Sequence, residues 1–230
     1  MLDFSASSAY LGVFLSIGAY LVGLAVKKRT GLAVMNPLLI AVALVIALLS
    51  VFHIPYEAYN QSAKLLSSLL TPATICLAVP LYEQLALLKK HKNAILAGIV
   101  SGVITSMICV LALCFLFKLD HASYVTLLPK SITTAIGMGV SEKLGGYVSI
   151  TVAVIIITGI LGNMIAETVC KAFRITEPIA RGVAIGTASH AIGTAKAMEL
   201  GQIEGAMSSL SIVISGVLTV IGASLFAPLL

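Results

Sequence analysis

Five long stretches without Asp, Glu, Lys or Arg constrain this chain more than any other feature. They contain 23, 27, 25, 23 and 26 residues and cover positions 4–26, 30–56, 93–117, 144–166 and 205–230. About 20 consecutive apolar residues let a helix cross the hydrocarbon core of a bilayer. Only 10% of the chain is charged, against about 25% in soluble domains. We therefore predict an all-α, polytopic transmembrane helical bundle forming a single membrane domain over residues 1–230.

The basic residues indicate how this bundle is oriented. Nine of the fourteen Lys and Arg lie in three short loops between apolar segments: Lys27, Lys28, Arg29, Lys89, Lys90, Lys92, Lys171, Arg174 and Arg181. Cytoplasmic loops of membrane proteins carry such an excess of positive charge. We expect a multi-pass protein of the bacterial cytoplasmic membrane, and we expect no nucleic-acid partner. The first apolar run is predicted to be a membrane span and not a cleaved signal peptide, because the basic residues follow it.

Three apolar segments are interrupted by prolines or by clusters of small and polar residues. We predict a broken helix over residues 62–88, with the break at Thr71-Pro72, because a proline removes a helical hydrogen bond. The second segment, residues 124–140, contains the sequence LPKSITT. A re-entrant hairpin there keeps Lys171 and Arg174 on the cytoplasmic side. The third interruption is residues 186–195, GTASHAIGTA. The second span is predicted to begin at Asn36-Pro37.

These interruptions also predict an internal structural repeat. Residues 61–117 and 178–229 each have an interrupted segment, a charged loop and a long apolar span. We place approximate halves at residues 1–118 and 119–230, and the pattern leaves open whether the repeat is inverted or parallel. Interrupted segments in corresponding positions of two halves are typical of transporter binding sites. Broken backbone at membrane depth is tolerated only inside protein or beside a water-filled cavity.

The first candidate site is the LPKSITT segment. Ser131 and Thr134 are expected to share a helical face after Pro129, with Thr133 beside them. The Lys130 charge, these hydroxyls and free amides at a helix start would together bind a small carboxylate. The alternative is that Lys130 extends to the membrane interface and the hydroxyls bond to backbone.

The second candidate site is the GTASHAIGTA segment, with Thr187, Ser189, His190 and Thr194. An ionisable residue at membrane depth is costly and therefore a functional hypothesis. His190 is expected to donate to a carboxylate or to carry a coupled proton. The alternatives are a neutral His190 bonded to a backbone carbonyl, and small residues that serve only helix packing. Thr71 is a further candidate ligand, or a side chain that only satisfies the broken backbone.

We predict no enzyme activity, no catalytic residues, no cofactor and no metal site. Ser189 and His190 are adjacent and point in different directions on a helix, and no phosphate-binding glycine loop or metal-ligand spacing is present in the sequence. The four cysteines show no C-x-x-C spacing, and we interpret them as small apolar side chains. The expected ligand is a small organic anion, coupled to H⁺ or Na⁺, and membrane lipid is expected to surround the protein.

The sequence resembles the LrgB/CidB family of membrane proteins, including its YohK-type bacterial members, over nearly its whole length. The motifs that carry the resemblance are residues 36–39 (NPLL), 70–73 (LTPA), 80–84 (PLYEQ), 128–134 (LPKSITT), 180–182 (ARG), 186–195 (GTASHAIGTA) and 204–210 (EGAMSSL). The family often has a proline after its double threonine, where this chain has Ala135.

The resemblance implies a transporter-like helical bundle that forms a homodimer, and it implies two functions. The first is transport of small monocarboxylates of the pyruvate, glycolate or glycerate type, as in the plastid glycolate/glycerate translocators that the family includes. The second is an antiholin-like role, in which the protein and a small LrgA/CidA-like membrane partner regulate murein hydrolase export, autolysis and programmed cell death.

Overall fold

The computed structural model describes residues 10–31, 35–76 and 78–230, without the side chains of residues 70, 71, 74, 80 and 81. This part of the chain contains eleven α-helices and one 3₁₀ turn: α1 Leu11–Thr30, α2 Pro37–Val51, α3 Tyr56–Ser68, α4 Leu70–Cys76, α5 Ala78–Glu83, α6 Leu85–Leu116, α7 His121–Leu127, α8 Thr134–Leu144, α9 Val148–Ala172, α10 Pro178–Leu200, α11 Gln202–Phe226 and the turn Ala227–Leu229. Helices α1, α6, α9 and α11 are long and apolar enough to cross a membrane, and α2 is apolar but shorter. The predicted class, an all-α polytopic membrane protein, is confirmed.

Residue contacts divide the chain into two compact units, Met1–Cys76 and Leu77–Leu230. In the first unit, α2 begins as predicted. The Asn36 side chain accepts hydrogen bonds from the backbone N–H groups of Leu38 and Leu39, at 2.8 and 3.3 Å. Pro37 takes the first helical position, where no N–H is needed.

The break expected at Thr71-Pro72 lies a few residues earlier. Helix α3 ends at Ser68 and α4 begins at Leu70. Pro72 therefore falls in the first turn of α4, where a missing N–H costs no intrahelical hydrogen bond. The proline marks a helix start here and not a break inside a helix.

In the second unit, α6 joins two segments that we predicted as separate, the end of the broken helix at residue 88 and the span over residues 93–117. It runs from Leu85 to Leu116 but has non-helical dihedral angles at His91, with φ −111° and ψ 15°. The predicted span over residues 93–117 is the part that follows this bend. The bend lies in the basic cluster of Lys89, Lys90 and Lys92.

Helices α7 and α8 form a re-entrant hairpin, as the charge distribution predicted. Asp120 caps α7 by accepting from Ser123 N–H at 3.4 Å, and a hydrogen bond with the Ser123 side chain lowers the pKa of Asp120. At the other end of the hairpin, Tyr147 N–H donates to Thr126 Oγ1 at 2.7 Å. The chain thus returns beside α7 before α9 begins. We call residues 120–147 hairpin 1 and its turn, residues 128–133, tip 1.

Helix α10 is a second hairpin, which the sequence analysis did not predict. Non-helical dihedral angles at His190, φ 41° and ψ −144°, separate a first arm, residues 178–189, from a second arm, residues 191–200. We call residues 178–200 hairpin 2, with its tip at His190. The relation of each arm to α11 shows that the chain reverses at this tip.

The first arm of hairpin 2 runs parallel to α11. Gly182 lies against Glu204, and Gly186 lies against Ser208, four residues later on both helices. A Cβ added to Gly182 would lie 2.5 Å from Glu204 O, and one added to Gly186 would lie 2.7 Å from Ser208 Cα. Small residues here let the two helix backbones approach each other closely.

The second arm of hairpin 2 runs antiparallel to α11. The hydroxyl groups of Thr194 and Ser208 are 2.7 Å apart. Met198, later in the second arm, lies beside Gly205, earlier in α11. The order of contacts is therefore inverted relative to the first arm, and hairpin 2 returns to the membrane side from which it entered.

The two hairpins are parts of an inverted repeat. Each hairpin is followed by a 25-residue helix, α9 or α11, and the tripeptide Ala-Ile-Gly follows both tips, at residues 135–137 and 191–193. Hairpin 1 enters from the side where α9 begins, and hairpin 2 enters from the side where α9 ends. The repeating segments are thus residues 120–172 and 177–226, which differs from the pairing of 61–117 with 178–229 suggested by the sequence pattern.

The helices that precede the two hairpins end in the same way. Lys118 after α6 and Arg174 after α9 both have positive φ, 54° and 55°. The next backbone N–H then donates to a carbonyl five residues back, from Leu119 to Cys114 at 2.9 Å and from Ile175 to Cys170 at 2.8 Å. This is the hydrogen bond of a Schellman cap, which satisfies a free helix carbonyl.

Candidate functional site

A cavity of about 760 Å³ lies within the second unit, between α6, the first arm of hairpin 2 and tip 1. Helix α6 and this arm are parallel neighbours, since Gly98 lies against Val183 and Gly102 against Thr187. Glycine at these two positions of α6 lets the two helices approach each other closely. The cavity extends from His91 at the basic side of the unit to Lys130 at tip 1.

Lys130 and Ser131 form the polar end of this cavity. Lys130 Nζ donates to Ser131 Oγ at 3.0 Å, and Ser131 Oγ lies 3.2 Å from Ser106 Oγ of α6. The Ser131 side chain is buried. One cation and two hydroxyls therefore converge at one end of a largely apolar cavity, an arrangement that suits a carboxylate group.

Thr187 lines the same cavity from hairpin 2. The residue is only 6% exposed, and its Oγ1 has no hydrogen-bond partner among the residues that the structure describes. Threonine in a helix normally bonds a carbonyl of the preceding turn. A buried hydroxyl without a partner costs about 1–3 kcal/mol.

The inverted repeat relates the two hydroxyl residues of the cavity. Aligning the Ala-Ile-Gly tripeptides at residues 135–137 and 191–193 places Ser131 opposite Thr187. Each precedes its tripeptide by the same number of residues and each lines the cavity. The two hairpins thus contribute equivalent positions to one site, and Lys130 is charged where hairpin 2 has Gly186 at the corresponding position.

The other predicted residues of hairpin 2 lie outside this cavity. His190 Nε2 is 3.0 Å from Ile155 O of α9, the backbone bond that we gave as the alternative for this histidine. Ser189 is buried against Gly162 of α9. Thr194 donates to His190 O at 3.0 Å and contacts Ser208. These side chains connect hairpin 2 to its neighbours, and a ligand role for them stays a prediction.

Two predictions about the first candidate site are wrong: the shared helical face of Ser131 and Thr134, and the start of a helix directly after Pro129. Ser131 lies in the turn of tip 1, whereas Thr134 is the first residue of α8, so the two do not share a helical face. Thr133 is the N-cap of α8 and makes no side-chain capping bond. The helix starts five residues after Pro129 because tip 1 includes residues 130–133. The Thr71 side chain lies outside the described residues.

The backbone at His190 leads to a prediction about stability. Its φ of 41° with ψ −144° is a conformation that glycine adopts easily and that costs other residues about 1–3 kcal/mol. Both His190→Gly and His190→Ala remove the ring and its bond to Ile155. We expect His190→Gly to have the higher melting temperature of the two in detergent, because only glycine relieves the strain. Equal melting temperatures would contradict this.

A buried ion pair that the sequence analysis did not single out joins hairpin 2 to α11. Arg181 Nη1 lies 3.4 Å from Glu204 Oε1, and the Glu204 side chain is 7% exposed. Removing one partner of a buried pair leaves an uncompensated charge and costs about 3–5 kcal/mol. Arg181→Met is therefore expected to lower the melting temperature strongly, whereas Arg29→Met, at the exposed end of α1, should not.

A double variant tests the origin of this effect. Arg181→Met combined with Glu204→Gln removes both charges, so we expect it to melt at a higher temperature than Arg181→Met alone. If the second substitution lowers the melting temperature further, the pair is not the cause. One feature of the sequence could have identified Glu204 as a buried charge: it is an acidic residue in the first turn of the last apolar helix, α11.

Sequence reasoning also missed Ser106. It lies within the apolar run of residues 93–117, which we interpreted only as a span. The spacing of small residues could have identified it, because Gly98, Gly102 and Ser106 follow one another at intervals of four residues and share one face of α6. This face of small residues borders the cavity.

Four long apolar helices and two opposed hairpins define a polytopic helical membrane protein. The profile of the LrgB-like family matches residues 16–229, and the chain belongs to this family. Proteins named antiholin-like protein LrgB, from Bacillus cereus and Bacillus anthracis, are 39% identical over 225 residues, which is 97% of this chain and 98% of theirs. No solved structure matches the chain significantly.

Proposed function

We propose that this chain is an antiholin-like protein of the bacterial cytoplasmic membrane. In this role it limits murein hydrolase export and autolysis together with a small LrgA/CidA-like membrane partner. The observation that supports this role is the 39% identity, over 97% of the chain, with relatives named antiholin-like protein LrgB.

Autolysis of whole cells tests the antiholin-like role. We expect a bacterium lacking its own LrgB-like protein to lyse more slowly under penicillin when the chain and its small partner are expressed. Extracellular murein hydrolase activity on zymograms should fall in parallel. Unchanged lysis and unchanged zymograms, with both proteins present in the membrane fraction, would contradict this proposal.

A second candidate function, transport of a small monocarboxylate, is favoured by the cavity. Its polar end has one lysine, and the equivalent hydroxyl residues of two opposed hairpins line it. In this proposal the carboxylate binds between Lys130, Ser131 and Thr187, and the hairpins change their relative position to open the site to either side. A homodimer and coupling to H⁺ or Na⁺ belong to the same proposal.

Uptake into proteoliposomes tests the transport proposal. Purified protein is reconstituted and offered labelled pyruvate, glycolate or glycerate under pH, sodium or potential gradients. We expect uptake above that of empty liposomes for at least one acid and one gradient. Absence of uptake by protein that melts cooperatively before reconstitution would contradict transport, and it would leave the antiholin-like role standing.

A further inference from the structure

The cavity is elongated, and its polarity changes along its length. On α6 it borders residues from His91 to Cys109, and the part after the bend, Ala94 to Cys109, corresponds to about 22 Å of helix axis at about 1.5 Å per residue. On the first arm of hairpin 2 it borders residues from Ile179 to Ala188. A long slot between parallel helices therefore leads away from tip 1.

The polar side chains of this slot lie at its two ends, and His91 and Glu177 border the end opposite tip 1. Lys130, Ser131, Ser106 and Thr187 are near tip 1, whereas the middle is lined by alanine, glycine and aliphatic side chains, among them Ile95, Ala180, Val183 and Ala184. A carboxylate at tip 1 would leave this apolar middle facing the rest of the ligand. The volume of about 760 Å³ is in the range of cavities that bury ligands of drug size.

We propose that this slot binds a monocarboxylate with an apolar body of more than three carbons, its carboxylate at Lys130 and Ser131 and its hydrocarbon along α6 towards His91. This inference rests on the anion site of the transport proposal and deepens it. One cationic side chain at tip 1 matches one carboxylate. The apolar middle contributes favourable binding free energy only when the ligand has hydrocarbon to bury there.

Binding of a series of straight-chain acids tests this proposal. Acetate, propionate, butanoate, hexanoate and octanoate are titrated into the purified full chain in detergent, by calorimetry. Each methylene buried in the slot contributes about 0.8 kcal/mol, so affinity is expected to rise about fourfold per methylene up to the length that the slot accepts. An affinity that does not change with chain length would overturn the proposal.

Neutral analogues separate a carboxylate site from an apolar crevice that a lipid tail could occupy. Octanamide is expected to bind at least tenfold more weakly than octanoate, and Lys130→Met should reduce octanoate to the level of the amide. Equal binding of the acid and the amide by the wild-type chain would overturn the proposal.

A substitution that fills part of the slot tests where the hydrocarbon of the ligand lies, and a second substitution outside the slot is its matched control. Ala184 is exposed and lines the cavity three residues from Thr187. Ala184→Leu should weaken hexanoate and octanoate at least tenfold and leave propionate unchanged. Ala195→Leu, at an exposed position of the second arm that does not border the cavity, should change neither. If Ala184→Leu weakens all the acids equally, the hydrocarbon does not lie in the slot.

The same titrations distinguish failure of this inference from failure of the transport proposal. Binding of pyruvate or glycolate without any gain from added methylenes would leave the transport proposal intact and reject the elongated ligand. No binding of any carboxylate, to protein that melts cooperatively, would reject both.

Discussion

Lys130→Met is expected to reduce carboxylate affinity about 10- to 150-fold and to lower proteoliposome uptake to background. A hydrogen bond to a charged group contributes about 1.5–3 kcal/mol, and Lys130 is the cation beside Ser131 at tip 1. Methionine keeps the length and the apolar stem of lysine. Radiotracer uptake and calorimetric titration with the same acid measure the two effects.

Two variants control for changes in folding or surface charge. Lys130→Arg keeps the charge and should retain more affinity than Lys130→Met. Lys143→Met removes a lysine from the exposed last turn of α8 and should have no effect on affinity. Full uptake by Lys130→Met would exclude this lysine from the anion site, whatever happens to the controls.

Gly186→Ala is expected to destabilise the protein strongly although it adds a single methyl group. The added Cβ would overlap the backbone of α11 at Ser208, with Ser208 Cα at 2.7 Å. Overpacking of a tight interior costs about 1–3 kcal/mol and more when backbone must move. We therefore expect a large drop in melting temperature in detergent, or loss of the folded protein during purification.

Gly139→Ala is the matched control for this substitution. Gly139 lies in α8, and a Cβ there would contact nothing within 4 Å. Alanine in a helix is favoured over glycine by about 0.5–1 kcal/mol, so this variant should be as stable as the wild type or slightly more stable. Equal melting temperatures for Gly186→Ala and Gly139→Ala would show that the two helices are not in close contact at Gly186.

The sequence predicted the features of this fold that depend on local chemistry. Asn36 and Pro37 start α2 because an acceptor side chain and a proline suit a helix N-terminus. A proline, a lysine and three hydroxyls in six residues predict the interruption at tip 1, and the positions of Lys171 and Arg174 predict its re-entrant form. The same reasoning predicts a ligand role for Lys130 and Ser131, and both residues line the cavity.

The reversal at His190 could not be predicted in this way. No glycine or proline occupies the position, and histidine is not a residue that normally marks a turn. The reversal is held by tertiary contacts: the ring bonds Ile155 O, and Gly186 allows close packing on α11. Ser106 was missed for the same reason, because its role depends on which face of α6 the neighbouring helices leave open.

The order of hairpins and long helices determines what tandem duplication of a repeating segment does to the topology of the chain. A hairpin that enters and leaves on one side contributes no crossing, and α9 or α11 contributes one, so each repeating segment crosses the bilayer once. Tandem duplication of a segment with an odd number of crossings necessarily gives two copies of opposite orientation. The opposed hairpins of this protein therefore need no separate signal to face each other, and inserting one more copy would move the C-terminus to the other side of the membrane.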